Sequence, residues 1–247
     1  MTNELNEWQA FWDEFAEEYE EIQQESSFPI ADDLAEFLIQ QNILPCATFL
    51  DLAGGTGRYL EAFQSLTAKY TLVDISAEML KIAAAKAAKN VTLVQQEQTI
   101  FLTNNNQPYD LVFSAMNPVL QTKDDLLACC RASRKWILLL RVIKDEDQLF
   151  SPFEEKNPDL FLNQRYKHYL EEEQIVFQTK CFEYTKTERV TKSFFHDYFA
   201  LDFPAEQVDA ITEKTFGSAH EKDNQQSLVF ELIYFQVPNV YNGNGIQ

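Results

Sequence analysis

The sequence predicts an α/β domain: a doubly wound sheet of seven strands, mostly parallel with an antiparallel edge strand, and helices on both faces. Three observations carry this. Five short apolar runs between residues 47 and 143 alternate with stretches of helical periodicity, the pattern of a parallel sheet covered on both sides. The first run ends in a corner of small residues, where such sheets turn from strand to helix. Two later alternating runs, 175–187 and 227–237, are joined by helix, which fits antiparallel pairing at the edge.

Each element has its own signal. Leu5, Trp8, Phe11, Trp12, Phe15, Ala16, Tyr19 and Ile22 recur at steps of three and four, so residues 5–24 predict an amphipathic helix. Ser26, Ser27 and Pro29 punctuate. A second helix is expected over 30–42, ending before Pro45. Strands follow at 47–53, 69–75 and 90–96, with helices at 58–66 and 77–89. Ser76 is the expected N-cap of the second of these. After an asparagine-rich loop at 104–107 come a strand at 109–116 and a helix to about 133, opened by a Thr122–Asp125 capping box. A fifth strand spans 135–143. Residues 145–173, charged and aromatic with Pro152 and Pro158, read as an inserted segment. Helices are expected at 191–199 and 204–216, and NVYNGNGIQ as a frayed end.

Composition limits the function. The 247 residues are 45% hydrophobic, enough for a sizeable core. The polar, acidic opening MTNELNEWQAF is not a secretory signal, and the longest apolar run, near 136–140, is far short of a membrane span. Cys46, Cys129, Cys130 and Cys181 have no zinc spacing and read as reduced thiols in a cytoplasmic protein. Asp and Glu total 39 against 20 Lys and Arg, a formal charge of −19, and no basic residue precedes Arg58. Such a surface repels phosphate backbones, so neither nucleic acid nor membrane is expected as a partner. Lys180, Lys186, Arg189 and Lys192 alternate with polar residues as a solvated strand face does.

The stretch FLDLAGGTGRYL (49–60) holds the main functional signal. A P-loop needs Lys and then Ser or Thr after its glycines, but Arg58 and Tyr59 follow Gly57. A dinucleotide fingerprint needs a third glycine, but Leu60 stands there. Asp51, just before the loop, sits badly beside a pyrophosphate and well beside a cationic ligand. The stretch resembles the first motif of class I S-adenosylmethionine-dependent methyltransferases, an acid followed by small residues and G-x-G. The resemblance implies a Rossmann-like fold, S-adenosylmethionine as methyl donor, and cofactor contacts at Asp51, Ala53, Gly54, Gly55, Thr56 and Gly57. It departs in carrying Ala53 where many members have glycine.

Further motifs extend the resemblance over about residues 8–143. DISAEML is similar to the family's second motif: Asp74 is implied as acceptor of the ribose hydroxyls, Met79 as packing near the adenine, and Ile75 as a further cofactor contact. After the third strand, Gln96, Glu97 or Gln98 takes the place of the family's glycine-aspartate. YDLVFSAMNPVL resembles the fourth motif and places Ser114 at the methyl-transfer face. Asn117-Pro118 reads as a turn ending the strand, with a substrate role open. FWDEFAEEYEEI resembles the helix that closes over the cofactor, with Tyr19 as its contact and core packing as the alternative for Phe11, Trp12 and Phe15.

The expected organisation is a single domain, 1–247: a helical cap (1–44), a cofactor-binding core (45–143), an inserted cap (144–174) and a sheet-completing region (175–238). The expected function is methyl transfer to a small-molecule acceptor by a monomer or homodimer. The acceptor pocket is expected under the first helix and the inserted segment. No catalytic residue and no metal ligand is assigned. His196 and Tyr198 are candidate bases, though an amphipathic helix with a surface histidine explains them equally, as it does His168 and His220. A dinucleotide-binding oxidoreductase and a noncatalytic S-adenosylmethionine-binding protein remain as alternatives.

Overall fold

The computed structural model describes residues 3–25, 28–105, 107–238 and 241. Ser26, Ser27, Asn106 and the terminal stretch apart from Tyr241 lie outside the described residues. Seven strands form one sheet: β1 (Cys46–Leu52), β2 (Thr67–Asp74), β3 (Val91–Gln95), β4 (Tyr109–Ala115), β5 (Ser133–Asp147), β6 (Gln178–Thr191) and β7 (Glu221–Gln236). Their order is β3-β2-β1-β4-β5-β7-β6. The pairs from β3 through to β5 are parallel. β7 runs against β5: Val237 N–H donates to Lys135 O at 2.9 Å and Gln148 N–H to Gln225 O at 3.0 Å, so partner numbers fall as β5 climbs. The strand order reverses between β1 and β4, which sets a crevice at their carboxyl ends.

The chain divides into two compact units. The first comprises Met1–Arg141, Leu162–Phe182 and Glu231–Gln247. It contains α1 (Asn3–Glu25), α2 (Ile30–Gln40), α3 (Leu60–Phe63), α4 (Ala77–Lys86), α5 (Gln98–Asn104), α6 (Lys123–Ala132) and α7 (Leu162–Glu172). Strand alternation sorts its core. Leu50, Leu52, Val112, Ile137 and Leu139 pack with Leu126, Cys129 and Cys130 of α6. On the opposite face Phe49 meets Phe63, Tyr70 and Phe113, with ring centroids 4.7–5.9 Å apart. The second unit, Val142–Phe161 and Glu183–Phe230, contains α8 (Lys192–Phe199) and α9 (Ala205–Phe216). Its core is aromatic, with Phe150, Phe195, Phe199 and Phe216 buried together.

Local chemistry explains where elements begin. Ser76 Oγ accepts the Met79 N–H at 3.1 Å and caps α4. Thr122 and Asp125 cap α6 reciprocally. Three expectations shift. The helix expected at 58–66 shrinks to α3 and a 3₁₀ turn, Gln64–Leu66, because the glycine turn runs on to Tyr59. α5 was not anticipated; seven residues are too few for periodicity to register, and Glu97 opens it by accepting from Thr99 N–H and Ile100 N–H at 2.8 and 2.9 Å. Residues 145–173 are more ordered than expected: β5 continues to Asp147, and α7 buries Leu162, Tyr166 and Leu170 in the core of the first unit. Among the described residues no helix is long and apolar enough to cross a membrane, and no three His, Cys, Asp or Glu could hold a metal.

Asp110 pins the amino ends of β1, β4 and β5. One carboxylate oxygen accepts the Ala47 and Thr48 N–H groups, both at 3.1 Å; the other meets Arg134 Nε at 2.8 Å and Lys135 Nζ at 3.0 Å. Arg134, opposed by burial, leads the groups that hold this carboxyl well below the usual range. Asp110→Ala strands two backbone donors, at a cost of about 2 kcal/mol. Its thermal midpoint is expected to fall by about 4–8 °C at pH 7. Because the folded pKa is lowered, the deficit is full above about pH 4 and shrinks as the pH falls toward the folded value. Calorimetric scans at pH 7 and pH 3 check both points; a deficit that grows in acid would contradict them.

Candidate functional site

The site begins with strand geometry. Phe49 pairs with Tyr70 and Asp51 with Leu72 across β1 and β2, and Asp51 pairs with Phe113 on β4. Side chains two residues apart share a face, roughly 6.6 Å apart along the strand. Tyr70, stacked on Phe49 at 4.7 Å and 16°, is long enough to span that step. Its hydroxyl donates to Asp51 Oδ2 at 2.7 Å. Asp51 is 1% exposed, and no ion pair reaches it among the described residues. Burial first, and then the charge of Asp74, push its carboxyl up to about 7 against the opposing pull of Tyr70.

The loop that follows is shaped by close approach. A Cβ on Gly54 would lie 2.5 Å from Leu72 Cγ and 2.9 Å from Asp51 Cγ, so only glycine fits. Gly55 needs glycine for a different reason: its φ is +55°, whereas its Cβ would find ordinary contacts to Tyr19 and Met79. Ala53 stands at φ +57° without being glycine. Met116, at the end of β4, has φ +50°. Such strained backbone gathers at functional sites.

Asp74 ends β2 and holds the loop from the other side. Its oxygens accept Gly55 N–H at 2.8 Å and Ser76 N–H at 2.9 Å, leaving further lone pairs for a ligand. Burial raises this carboxyl, the amides of Ser76, Gly55 and Ile75 oppose the rise, and the charge of Asp13 adds to it. Asp13 belongs to α1 and accepts from Ser76 Oγ at 2.6 Å and Glu78 N–H at 3.2 Å. Glu20, also on α1, pairs with Lys86 at 2.6 Å. These two ties, absent from the sequence expectations, seat α1 so that Leu5, Trp8, Trp12 and Tyr19 line the cleft.

The cleft encloses about 1070 Å³ of empty space, its open mouth included. It gathers most of the residues the motifs singled out: Tyr19, Asp51, Ala53, Gly54, Gly55 and Thr56, then Asp74, Ile75, Met79, Gln96, Glu97 and Gln98. Gly57 and Ser114 are not among its lining. Gly57 serves the turn, at φ +77° with its would-be Cβ 2.5 Å from Leu60 Cδ1. Ser114 is buried behind the strand ends, donating to Leu52 O at 3.2 Å and accepting from Asn117 Nδ2 at 3.0 Å. Glu97 spends both oxygens capping α5, and Gln98 Oε1 accepts from Asn117 Nδ2 at 2.8 Å. Asn117 Oδ1 takes the Val119 N–H at 3.1 Å, so its side chain shapes the turn as expected.

Several lining residues were not anticipated. Arg58 and Tyr59 follow the loop directly, and their adjacency was the available signal. The Tyr59 hydroxyl is buried with no hydrogen-bond partner among the described residues. Met116, Pro118 and Val119 form an apolar rim with Leu5 and Trp8. α7, the ordered helix of the segment expected to roof the pocket, is built into the core instead. All lining residues belong to the first unit. His196 and Tyr198 belong to the second, where His196 lies 3.4 Å from both Asp197 and Asp209, and the Tyr198 hydroxyl donates to Glu154 at 2.7 Å.

Residues 49–137, from within β1 through β4 and into β5 and including this loop, match the family described as a methyltransferase domain. The matched stretch, all of it within the first unit, is similar to methyltransferase domains. No curated protein matches it in sequence. Among solved structures, a Bacillus halodurans protein described provisionally as a methyltransferase is 17% identical, with a TM-score of 0.51 over 83% of this chain and 98% of that one; this shows a shared fold. A precorrin-6y C5,15-methyltransferase of Geobacter metallireducens is 13% identical, with a TM-score of 0.49 over 82% and 87% of the two chains. A magnesium protoporphyrin IX methyltransferase of Synechocystis, solved with S-adenosylmethionine, is 16% identical, with a TM-score of 0.43 over 85% and 78%.

The loop geometry makes opposite demands at adjacent positions. Ala53→Gly relieves a left-handed alanine at roughly 1–2 kcal/mol, less the entropy glycine adds to the unfolded chain. Its thermal midpoint is expected to hold or rise by about 1–2 °C. Gly54→Ala forces Leu72 and Asp51 apart, and overpacking of this kind costs about 1–3 kcal/mol. Its midpoint is expected to drop by several degrees. Scanning calorimetry of the two variants checks the ordering, and the reverse order would contradict it.

Proposed function

We propose that the chain transfers a methyl group from S-adenosylmethionine to a small-molecule acceptor, with the donor lying along the cleft from Asp51 to Met79. The observation that carries this reading is the Asp51 carboxylate: buried, lining the cleft, and in no ion pair among the described residues. A charge in that setting calls for a positive ligand. The donor's ammonium and sulfonium fit it; a pyrophosphate does not. Other features fit too. The partnerless Tyr59 hydroxyl stands on the Asp51 side, and Arg58, the basic side chain of the lining, suits the donor's carboxylate. Asp74 keeps lone pairs for ribose hydroxyls. Ile75 and Met79 offer apolar surface to the adenine, and Gln96 is the amide there whose side chain neither caps α5 nor bonds Asn117.

When bound, S-adenosylmethionine supplies a methyl group already activated on a sulfonium. The chain's own residues then position and desolvate. The Ala53–Thr56 backbone sets how deep the ligand lies. The rim of Leu5, Trp8, Met116, Pro118 and Val119 excludes water and suits an acceptor with an apolar body. None of these rim residues takes up a proton; a base is needed only if the acceptor arrives protonated. The net charge of −19 and the four free cysteines agree with a small-molecule enzyme of a reducing compartment that does not engage nucleic acid.

S-adenosylhomocysteine, at about 100 times its Kd, is expected to add about 2.7 kcal/mol to folding stability and raise the thermal midpoint accordingly. NAD at the same concentration is expected to leave it unmoved. Asp74→Ala should abolish the S-adenosylhomocysteine shift. A shift by NAD alone would favour the oxidoreductase reading.

A further inference from the structure

Tyr70 belongs to neither the glycine loop nor the motif around Asp74. It lies midway along β2 and is fully buried. Its ring is clamped against Phe49, so its hydroxyl has one place to go, 2.7 Å from Asp51 Oδ2. We propose that Tyr70 is a positioning residue for ligand binding: its hydroxyl holds the Asp51 carboxylate ionised and aimed into the cleft, so that the cationic end of the methyl donor meets a charge. The proposal rests on the reading of Asp51 given above.

The surroundings of Asp51 make this donor decisive. Phe49 shares its strand face and Phe113 lies opposite on β4, so its walls are aromatic and screen poorly. The titratable groups that act on it from the packed elements are Tyr70 and Asp74 of β2, Tyr59 after the loop and Tyr19 of α1. Arg58 acts on Tyr59 and Tyr19. Of these, Tyr70 makes the direct hydrogen bond to Asp51, and Asp74 pushes Asp51 toward its neutral form. Tyr70 itself stays protonated, because burial and then the charge of Asp51 raise its hydroxyl well above its ordinary value. It therefore donates throughout the working pH range. The same hydrogen bond sets the carboxylate's rotation.

The test is the pH profile of S-adenosylhomocysteine affinity, measured by calorimetry for the wild type and Tyr70→Phe. In the wild type, affinity is expected to be full above pH 7 and to fall about tenfold per unit below it, since the cation binds the ionised carboxylate. In Tyr70→Phe the midpoint is expected to move up by about one pH unit, because a hydrogen bond to a charged group is worth at least that much. Affinity should be down about fivefold at pH 7 and restored to the wild-type value at pH 9. The restoration is the readout a merely structural role would not give. An unchanged midpoint, an affinity lost at every pH, or a variant that no longer folds would each assign Tyr70 a structural role and overturn the proposal. A wild type whose affinity is flat with pH, or that binds no S-adenosylhomocysteine, would instead remove the reading of Asp51 itself.

Discussion

Asp51 accepts a hydrogen bond from Tyr70, lies among aromatic rings, and is in no ion pair among the described residues. Burying a carboxylate in this way opposes folding, because the ionised form is poorly solvated there. Its folded pKa, about 7, lies above the value of about 3.9 expected for the unfolded chain. Between those values the folded state binds more protons than the unfolded one, so the contribution of Asp51 to stability declines as pH rises. A cationic ligand reverses this by favouring the charge. The strain of the ligand-free site and the strength of the ligand-bound one are therefore two aspects of one arrangement.

Other parts of the site follow from where that carboxylate sits. Gly54 must lack a side chain because Asp51 and Leu72 fill the space beside it. The Gly54 N–H bonds Val73 O at 3.1 Å, so β2 carries the loop. One residue on, Asp74 binds Gly55 and Ser76 through backbone N–H groups, and Ser76 is where Asp13 fastens α1. A short chain of hydrogen bonds thus links the loop, Asp74 and the helix that supplies Trp8, Trp12 and Tyr19. Apart from the local Asp74–Ser76 bond, the links join residues distant in sequence, and each lies within the first unit.

Much of this was legible in the residues. The alternation of apolar runs yielded the parallel strands, and short-range chemistry yielded the Ser76 cap and the Thr122–Asp125 box, because those interactions close within three or four residues. The loop and Asp74 were legible because acid, small residues and strand ends stand in order. Less legible were features that depend on who lies opposite. Nothing local distinguishes Tyr70 from any other strand tyrosine until Phe49 and Asp51 are seen beside it. Asp13 and Glu20 read as solvent-face acids of α1 until Ser76 and Lys86 are placed. α5 was too short for periodicity, and charged neighbours masked the stripe of Leu162, Tyr166 and Leu170 on α7. Glycines were the hardest to rank: Gly54, which falls outside the G-x-G pattern, is the one the carboxylate excludes from bearing a side chain.

Proton uptake or release on ligand binding tests the account most directly. Titration calorimetry of S-adenosylmethionine in buffers of different ionisation enthalpy counts the protons exchanged. Binding to the wild type at pH 7 is expected to release about half a proton, as a carboxyl with a pKa near 7 becomes fully ionised, and binding to Asp51→Asn none. Tight binding to the wild type with no proton exchanged, or an equal release from the variant, would contradict the claim that the cleft is built around a carboxylate awaiting a cation.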